Sequence, residues 1–373
     1  KVIHAPRGVI FDRNGKVLAG NSPGFRLIDP KTAKATIISR EQALEMEVKN
    51  DPRISELEVD SARKYPKGAE VAHVIGYVGE VSPQQLKKEE YKNYRARDRI
   101  GQSGVEAQYE SILRGVDGGE IVEVDAEGRK LRTLRRSAPI PGQNLYLTID
   151  AELQHQASVL LREAVAKSGS CCGALIAEDP SSGQVLALVS IPSFDNNQFS
   201  DPKGNVEAIL NDPHSAVLNR VIGGTYPPGS TYKIISSLAA LGSGKITPQT
   251  QIEDTGEIFL GPFRFTNWYF TQYGRKEGSV NLVKALQRSN DTYFYRVGEI
   301  VTEKGLIEWS RKLKLGGKLN IDLPGEVTGL VPDSEWKQKH ISEVWFPGYT
   351  LHMAIVQGYV LMTTLQVLGI TSF

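Results

Sequence analysis

The sequence predicts an α+β protein with two domains, a β-rich domain at residues 1–145 and a second domain at residues 146–373. Short strand-like segments and turns dominate the first part. In the second, a capped helix, an apolar hairpin and a further apolar helix follow one another, which indicates helices packed on a mainly antiparallel sheet. At 373 residues the chain is also long enough for two or three domains.

The strands of the first domain are predicted from two hairpin patterns. Residues 8–19 place Asn14 and Gly15 between strand-like runs, and Asn-Gly supplies the positive φ angles that a two-residue turn requires. Residues 121–131 repeat this pattern around Gly128. Both segments are therefore expected to form antiparallel hairpins.

The second domain is predicted to begin with a strand at residues 144–149, after which Asp150 caps a helix. Residues 172–180 and 183–190 predict two apolar strands around a Pro-Ser-Ser-Gly turn. Residues 281–287 predict another helix, and Asp291 is well placed to cap the helix after it. These elements give the domain its mixed character.

The segment Tyr226–Lys233 contains the most informative chemical pattern. Two prolines and a glycine end the incoming chain, and the apolar residues that follow predict a helix. Ser230 and Lys233 then lie on one face, one turn apart, close enough for the hydroxyl and the amine to meet. A serine nucleophile needs a nearby base, and a lysine kept neutral by burial or by neighbouring cations can serve. The pattern predicts an acyl-transfer site.

The same Ser-x-x-Lys spacing occurs at three other places, Ser61–Lys64, Ser200–Lys203 and Ser334–Lys337. These pairs lie in charged or polar stretches, or are interrupted by proline, and we expect solvated surface pairs there. Spacing alone therefore does not decide the function of Ser230.

A second polar element follows Ser230 by about sixty residues, where Ser289 and Asp291 lie on a loop between two predicted helices. One interpretation places both side chains in the same cleft as Ser230 and Lys233. Ser289 then passes a proton to a leaving amine, and a polar group after it holds Lys233 or a substrate amide. The simpler interpretation is ordinary loop polarity for Ser289 and helix capping for Asp291. Trp268 either forms a wall of the cleft or packs beneath a loop, and we favour the second interpretation.

Several classes of function are disfavoured by composition. The net charge of +1, with acids and bases mixed along the chain, does not favour nucleic acid as a partner. The only cysteines, Cys171 and Cys172, are adjacent, so no disulfide framework is expected and the pair is predicted to be core. His340 and His352 lack a companion ligand at metal-binding spacing, so we expect no metal and no cofactor.

The motif YPPGSTYK, followed by RSNDTYFY, resembles the penicillin-binding transpeptidases, which combine Ser-x-x-Lys, Ser-x-Asn/Asp and Lys-Thr-Gly. Arg7–Gly15 is similar to the opening of the pedestal domain in class B members, which lack a glycosyltransferase domain. Asp291, followed by Thr-Tyr-Phe-Tyr, resembles the elongation-type branch, penicillin-binding protein 2. Further similar segments are residues 104–110, 178–187, 346–350 and 354–359.

The resemblance implies a peptidoglycan D,D-transpeptidase. Ser230 is then expected to attack the penultimate D-Ala carbonyl of a stem pentapeptide and form an acyl-enzyme, with Lys233 as base. An amine of a neighbouring stem peptide takes the acyl group and forms the crosslink, and β-lactams acylate the same serine. Ser289 and Asp291 complete the catalytic set, and Asn290 and Trp268 are expected substrate contacts.

The resemblance also implies partners and a location. Members of this branch work beside a polytopic SEDS-type glycosyltransferase and the elongation machinery. One N-terminal span anchors them in the cytoplasmic membrane, with the catalytic domain on its periplasmic side. No run of about eighteen apolar residues occurs in this sequence, so we expect the span in a preceding segment.

The third element, Lys-Thr-Gly, does not occur after Ser289, and we expect it to follow Phe373 in a longer chain. Two alternatives remain open from the residues. One is a catalytically silent scaffold that activates a glycosyltransferase. The other is a hydrolase, either a D,D-carboxypeptidase or a serine β-lactamase, although the long first domain argues against the β-lactamase.

Overall fold

The computed structural model describes residues 2–28, 35–49, 51, 53, 57–125, 130–201 and 203–372. Internal contacts divide the chain into a first unit, Lys1–Asn219 with Asp322–Pro324, and a second unit, Arg220–Ile321 with Gly325–Phe373. The helix and hairpin predicted to open the second domain thus group with the first unit. A functional boundary near residue 145 stays a prediction.

The first unit contains twelve named strands and six named helices among its described residues. The strands are β1 (Val2–Ile3), β2 (Ile10–Phe11), β3 (Val17–Ile28), β4 (Ala35–Ser39), β5 (Glu58–Lys64), β6 (Val78–Glu80), β7 (Arg99–Gly101), β8 (Gly118–Val124), β9 (Lys130–Ser137), β10 (Leu145–Tyr146), β11 (Gly173–Asp179) and β12 (Gln184–Ile191). The helices are α1 (Arg40–Val48), α2 (Ala72–Ile75), α3 (Gly104–Gln108), α4 (Glu110–Leu113), α5 (Ala151–Ser168) and α6 (Val206–Leu210).

Both predicted hairpins of the first unit are confirmed. Ile10 pairs with Ala19 across the antiparallel β2–β3 ladder. The turn differs from the predicted two-residue turn, since residues 12–16 connect the strands and only Gly15 of the Asn14-Gly15 pair has a positive φ, 81°. Strands β8 and β9 pair antiparallel, and their connecting residues 126–129 lie outside the described residues. Among the described residues of this unit, a three-stranded sheet has the strand order β1-β8-β9, and a five-stranded sheet has the order β10-β2-β3-β4, with β5 also paired to β3. Strands β6 and β7 form a two-stranded sheet, and so do β11 and β12.

Helix α5 begins where the sequence predicts. The Asp150 side chain accepts hydrogen bonds from the backbone of Glu152 and Leu153 and so caps the helix. Its apolar face packs against β11 and β12, where Ala157 meets Ala187 and Val189. The strand before it is shorter than predicted, since only Leu145–Tyr146 forms a ladder, in parallel with β2.

A buried ion cluster lies at the centre of the first unit. Glu106 is fully buried and accepts from both Arg7 and Arg63, at 2.5 and 2.6 Å. Arg7 also pairs with Glu110. Carboxylates are tolerated at such depth only when they are paired and hydrogen-bonded. The Arg7 segment, singled out for its resemblance, is thus a packing element of this unit.

The second unit consists mostly of helices, with two two-stranded ladders, β13–β16 and β14–β15. The strands are β13 (Ile252–Asp254), β14 (Glu257–Leu260), β15 (Phe263–Thr266) and β16 (Gly278–Val280). The helices are α7 (Arg220–Gly223), α8 (Lys233–Gly242), α9 (Trp268–Tyr273), α10 (Leu282–Gln287), α11 (Asp291–Lys312), α12 (Ser334–Ile341), α13 (Pro347–Ile355) and α14 (Thr364–Thr371). The predicted α+β class is confirmed.

The core of the second unit forms where α11 packs against α8 and α13. Ile235, Ala239, Val297 and Ala354 are buried there together. This packing holds α8 rigidly, so the residues at its N-terminus have a fixed position relative to α11. Among the described residues, no helix combines the length and the apolar character needed to cross a bilayer.

Two sequence predictions outside the site are wrong. Cys171 and Cys172 are bonded to each other at the surface rather than packed in the core, because they lie in the polar loop between α5 and β11. Lys337, expected to be solvated, is fully buried and pairs with Glu343 at 2.7 Å. Its ammonium also lies 3.8 Å from the ring centre of Tyr349, since residues far along the chain fold over it.

Candidate active site

Ser230 lies in a single 3-10 turn, Gly229–Tyr232, immediately before α8 begins at Lys233. The predicted α-helix therefore starts three residues later than the serine. Gly229 has a φ of 58°, a conformation that glycine adopts without the steric cost of a side chain. Upstream, the backbones of Tyr226 and Met362 exchange hydrogen bonds of 2.8 and 2.9 Å, which anchors the chain ahead of the turn.

Lys233 is the buried base candidate, with a relative exposure of 1%. Its ammonium donates to the Ser289 carbonyl at 2.8 Å, to the Ser289 hydroxyl at 3.0 Å and to Asp291 Oδ1 at 2.6 Å. Burial lowers the pKa of Lys233 below its ordinary value, although the Asp291 carboxylate opposes this effect. A larger fraction of this lysine is therefore neutral near pH 7 than of an exposed lysine.

Ser289 connects the two elements of the site. It lies between α10 and α11 with a φ of 49°, a left-handed conformation that is costly for a residue with a side chain. In this conformation its hydroxyl donates to the Ser230 hydroxyl at 2.8 Å. The predicted convergence of the two motifs in one cleft is thus present in the geometry.

Ser289 lies between Ser230 and Lys233 in the hydrogen-bond series of the site. Among the described residues Lys233 makes no hydrogen bond to Ser230, and the expected direct contact of hydroxyl and amine is absent. Instead, the Ser289 hydroxyl contacts both side chains. A neutral amine keeps two N–H bonds and one lone pair. The Ser289 carbonyl and the Asp291 carboxylate only accept, so the lone pair of a neutral amine faces the Ser289 hydroxyl. This hydroxyl has a single proton, which points to Ser230 in the structure, so it has to turn to donate to the amine and accept from Ser230.

Asp291 is the first residue of α11 rather than its cap. Its Oδ1 holds Lys233, and its Oδ2 accepts from the Trp268 backbone at 3.2 Å. The half-buried Trp268 side chain lines the cleft and donates through Nε1 to the Arg288 carbonyl at 3.0 Å. Trp268 thus both lines the cleft and contacts the loop before α11, the two roles considered from the sequence. Its contact with substrate stays a prediction.

Asn290 is the residue that caps α11. Its Oδ1 accepts from the Tyr293 backbone at 2.8 Å, and its Nδ2 donates to Asp254 at 3.0 Å. With 1% exposure, this side chain points into the core. The structure therefore argues against the predicted substrate contact by Asn290 and corrects the cap predicted at Asp291.

Asp254 supports the Ser289 loop, a role that the sequence patterns do not predict. Its carboxylate is buried and accepts from Asn290 and from Asn267, whose own side chain accepts from the Asp291 backbone. Burial alone would raise the pKa of Asp254, but hydrogen bonds, led by the backbone of Glu277 and Gly256, lower it overall. Nothing in the local sequence distinguishes Asp254 from other turn residues.

A cleft of about 380 Å³ opens above the two serines. Its lining residues are Gly229, Ser230, Trp268, Ser289, Asp291, Ile355, Val356 and Gln357. Val356 has a φ of 51°, which is unfavourable for a β-branched residue and places α13 and the chain after it against the cleft. This segment resembles the family in sequence, but its residue pattern does not predict a place in the site.

Comparison with protein-family models gives two matches. Residues 173–372 match the model described as the penicillin-binding protein transpeptidase domain, and residues 29–147 match the penicillin-binding protein dimerisation domain. The chain belongs to the penicillin-binding proteins. The family resemblance drawn from the Ser230 and Ser289 motifs is confirmed.

The elongation-type branch is also supported by individual family members. The chain is 37% identical to the Escherichia coli peptidoglycan D,D-transpeptidase MrdA over 312 residues, which is 82% of this chain and 48% of that protein. It spans about half the length of this relative.

Two solved structures are similar to this penicillin-binding protein. One is penicillin-binding protein 2 of Helicobacter pylori in complex with MreC, with a TM-score of 0.84 and 29% sequence identity. The match covers 100% of this chain and 76% of the Helicobacter pylori chain. The other is penicillin-binding protein 2 of Pseudomonas aeruginosa in complex with WCK 5153, with a TM-score of 0.72 and 33% sequence identity. The match covers 99% of this chain and 69% of the Pseudomonas aeruginosa chain.

Proposed function

We propose that this penicillin-binding protein is a peptidoglycan D,D-transpeptidase of cell-wall elongation, with Ser230 as its nucleophile. The observation that carries the proposal is the hydrogen-bonded series from Ser230 through Ser289 to Lys233, held by Asp291. It provides a nucleophile, a proton relay and a buried amine in one cleft.

In the first half-reaction, Ser230 Oγ forms a bond to the carbonyl carbon of the penultimate D-Ala of a stem peptide. The Ser230 proton passes to Ser289, whose own proton moves to the neutral Lys233 amine. Collapse of the tetrahedral intermediate breaks the peptide C–N bond, and the proton returns through Ser289 to the amine of the departing D-Ala. The acyl group remains on Ser230.

In the second half-reaction, the side-chain amine of another stem peptide attacks the ester carbon. Lys233, through Ser289, accepts a proton from this amine and returns one to Ser230 as the ester bond breaks. The product is a crosslinked peptide, and the enzyme regains its starting state. Trp268 and Gln357, on the walls of the cleft, are positioned to contact the peptide chains.

The relatives favour this function over the two alternatives considered from the sequence. The Escherichia coli relative is named a D,D-transpeptidase rather than a carboxypeptidase or a β-lactamase. An intact relay around Ser230 also argues against a silent scaffold, since a scaffold needs no buried lysine at this place.

Labelling with a fluorescent penicillin tests the proposal. The full-length protein should form a covalent adduct that is lost in Ser230→Ala and kept in Ser334→Ala, a matched variant from another Ser-x-x-Lys pair. An adduct that persists in Ser230→Ala would contradict the assignment. Incubation with stem pentapeptides should give crosslinked dimers, whereas D-Ala release without dimers would identify a carboxypeptidase.

We also propose that the protein works at the outer face of the cytoplasmic membrane, beside a polytopic glycosyltransferase and the elongation machinery. The Helicobacter pylori relative is bound to MreC, and another structural neighbour belongs to a peptidoglycan synthase complex, which supports such partners here. Detergent extracts of membranes should yield the full-length protein together with glycan polymerase activity. Recovery of the protein in the soluble fraction without that activity would overturn this part.

A further inference from the structure

We propose that Cys171, Cys172 and His214 form a binding site for a thiophilic divalent cation, such as Zn²⁺, when the two cysteines are reduced. This site is separate from Ser230, and its test does not depend on the transpeptidase activity.

The three side chains come from two loops of the first unit. The cysteines lie between the end of α5 and the start of β11, and His214 lies about forty residues later, after α6. The candidate ligand atoms, two sulfurs and one imidazole nitrogen, all lie within 4.8 Å of one another. Cys171 and His214 are exposed and Cys172 is partly exposed, so a cation can reach them from solvent.

The donor set determines which cations fit. Thiolates and imidazole are the ligands that Zn²⁺ prefers in proteins, and thiolates disfavour Mg²⁺ and Ca²⁺. Three protein ligands with a fourth position for water form a common zinc arrangement. The His340 and His352 imidazoles, in contrast, are not part of any such group within the described residues.

Two changes bring the ligand atoms into place: the sulfurs move apart once their bond is broken, and the imidazole approaches them. Bond lengths of about 2.3 Å to sulfur and about 2.0 Å to nitrogen place tetrahedral ligand atoms about 3.5–3.8 Å apart. Since the observed separations do not exceed 4.8 Å, closure of the two loops by about 1 Å brings the imidazole into range.

The redox state controls the site. In the structure the two sulfurs are bonded to each other, and a disulfide provides no thiolate ligand. A dithiol reductant breaks this bond, transfers two electrons and two protons to the cysteines and becomes a disulfide itself. Binding of the cation then releases the two thiol protons, because only the thiolates bind.

Titration with Co²⁺ of the reduced protein, freed of excess reductant, tests the proposal. One equivalent should produce the thiolate-to-cobalt charge-transfer band and the visible absorption of tetrahedral Co²⁺, and Zn²⁺ should displace both signals. The oxidised protein should give neither signal. Cys171→Ser combined with Cys172→Ser should abolish them.

The role of the imidazole has its own control. His214→Ala should weaken Zn²⁺ affinity by at least about tenfold, as measured by competition with a chromophoric chelator. His340→Ala, which changes an exposed histidine in the second unit, should leave it unchanged. The proposal fails if the reduced protein gives no charge-transfer band, or if His214→Ala binds as tightly as the unmodified protein.

Discussion

The Ser289 hydroxyl lies 2.8 Å from the Ser230 hydroxyl and donates a hydrogen bond to it. The Ser289 hydroxyl also accepts a hydrogen bond of 3.0 Å from Lys233, so one side chain connects the proposed nucleophile with its proposed base. Its left-handed backbone, with a φ of 49°, makes this connection possible. A strained residue at this position indicates that packing around α10 and α11 stabilises a geometry the chain would otherwise avoid.

Ser289→Ala should reduce the second-order rate constant of acylation by penicillin about 10²- to 10⁴-fold, because it removes the hydroxyl that connects Ser230 with Lys233. Stopped-flow measurement with a chromogenic β-lactam checks this. The variant should keep the unfolding midpoint of the unmodified protein within a few degrees, since the hydroxyl is at the cleft surface. Unchanged acylation would show that Lys233 takes the proton directly.

The acylation rate should rise with pH through the pKa of Lys233, which lies below the ordinary value of 10.5. Asp291→Asn removes the carboxylate that raises this pKa, so the midpoint of the pH–rate profile should move to lower pH. The midpoint is informative even if the rate at the plateau falls. It reports the effect of the Asp291 charge on the pKa of Lys233, whereas the plateau rate also depends on how the Lys233 amine is positioned. A midpoint that stays the same or rises would contradict the assigned electrostatics.

Asp254 should make the stability of the protein depend on pH under acidic conditions. Its folded-state pKa lies below the ordinary 3.8, so the carboxylate stabilises the fold above about pH 4 and loses this effect as the pH falls through the folded-state value. The free energy of unfolding in urea should therefore decline more steeply below pH 4 in the unmodified protein than in Asp254→Asn. Parallel pH profiles of the two proteins would rule this out.

Glu106→Gln should destabilise the first unit by about 3–5 kcal/mol, because Arg7 and Arg63 lose their shared buried partner. Glu123→Gln, which breaks an exposed pair with Arg132, serves as the control and should cost less than about 1 kcal/mol. Urea titration monitored by circular dichroism measures both. Similar losses in the two variants would show that burial of Glu106 has no special effect.

Part of this protein is determined by local sequence. Asn14-Gly15 specifies a hairpin turn, Asp150 caps α5, and the apolar residues after Lys233 form a buried helical face. These features depend on backbone dihedrals and on hydrogen bonds between near neighbours, which a short stretch of sequence contains. The motifs around Ser230 and Ser289 also indicate the family without any coordinates.

Other features were decided only by tertiary structure. Lys233 contacts Ser289 rather than Ser230, and the buried Lys337 lies against the ring of Tyr349 in α13. His214 approaches the cysteine pair across about forty residues. In each case the partner is distant in the chain, so its direction and burial follow from the packing of whole helices and loops. Sequence spacing contains no record of that packing.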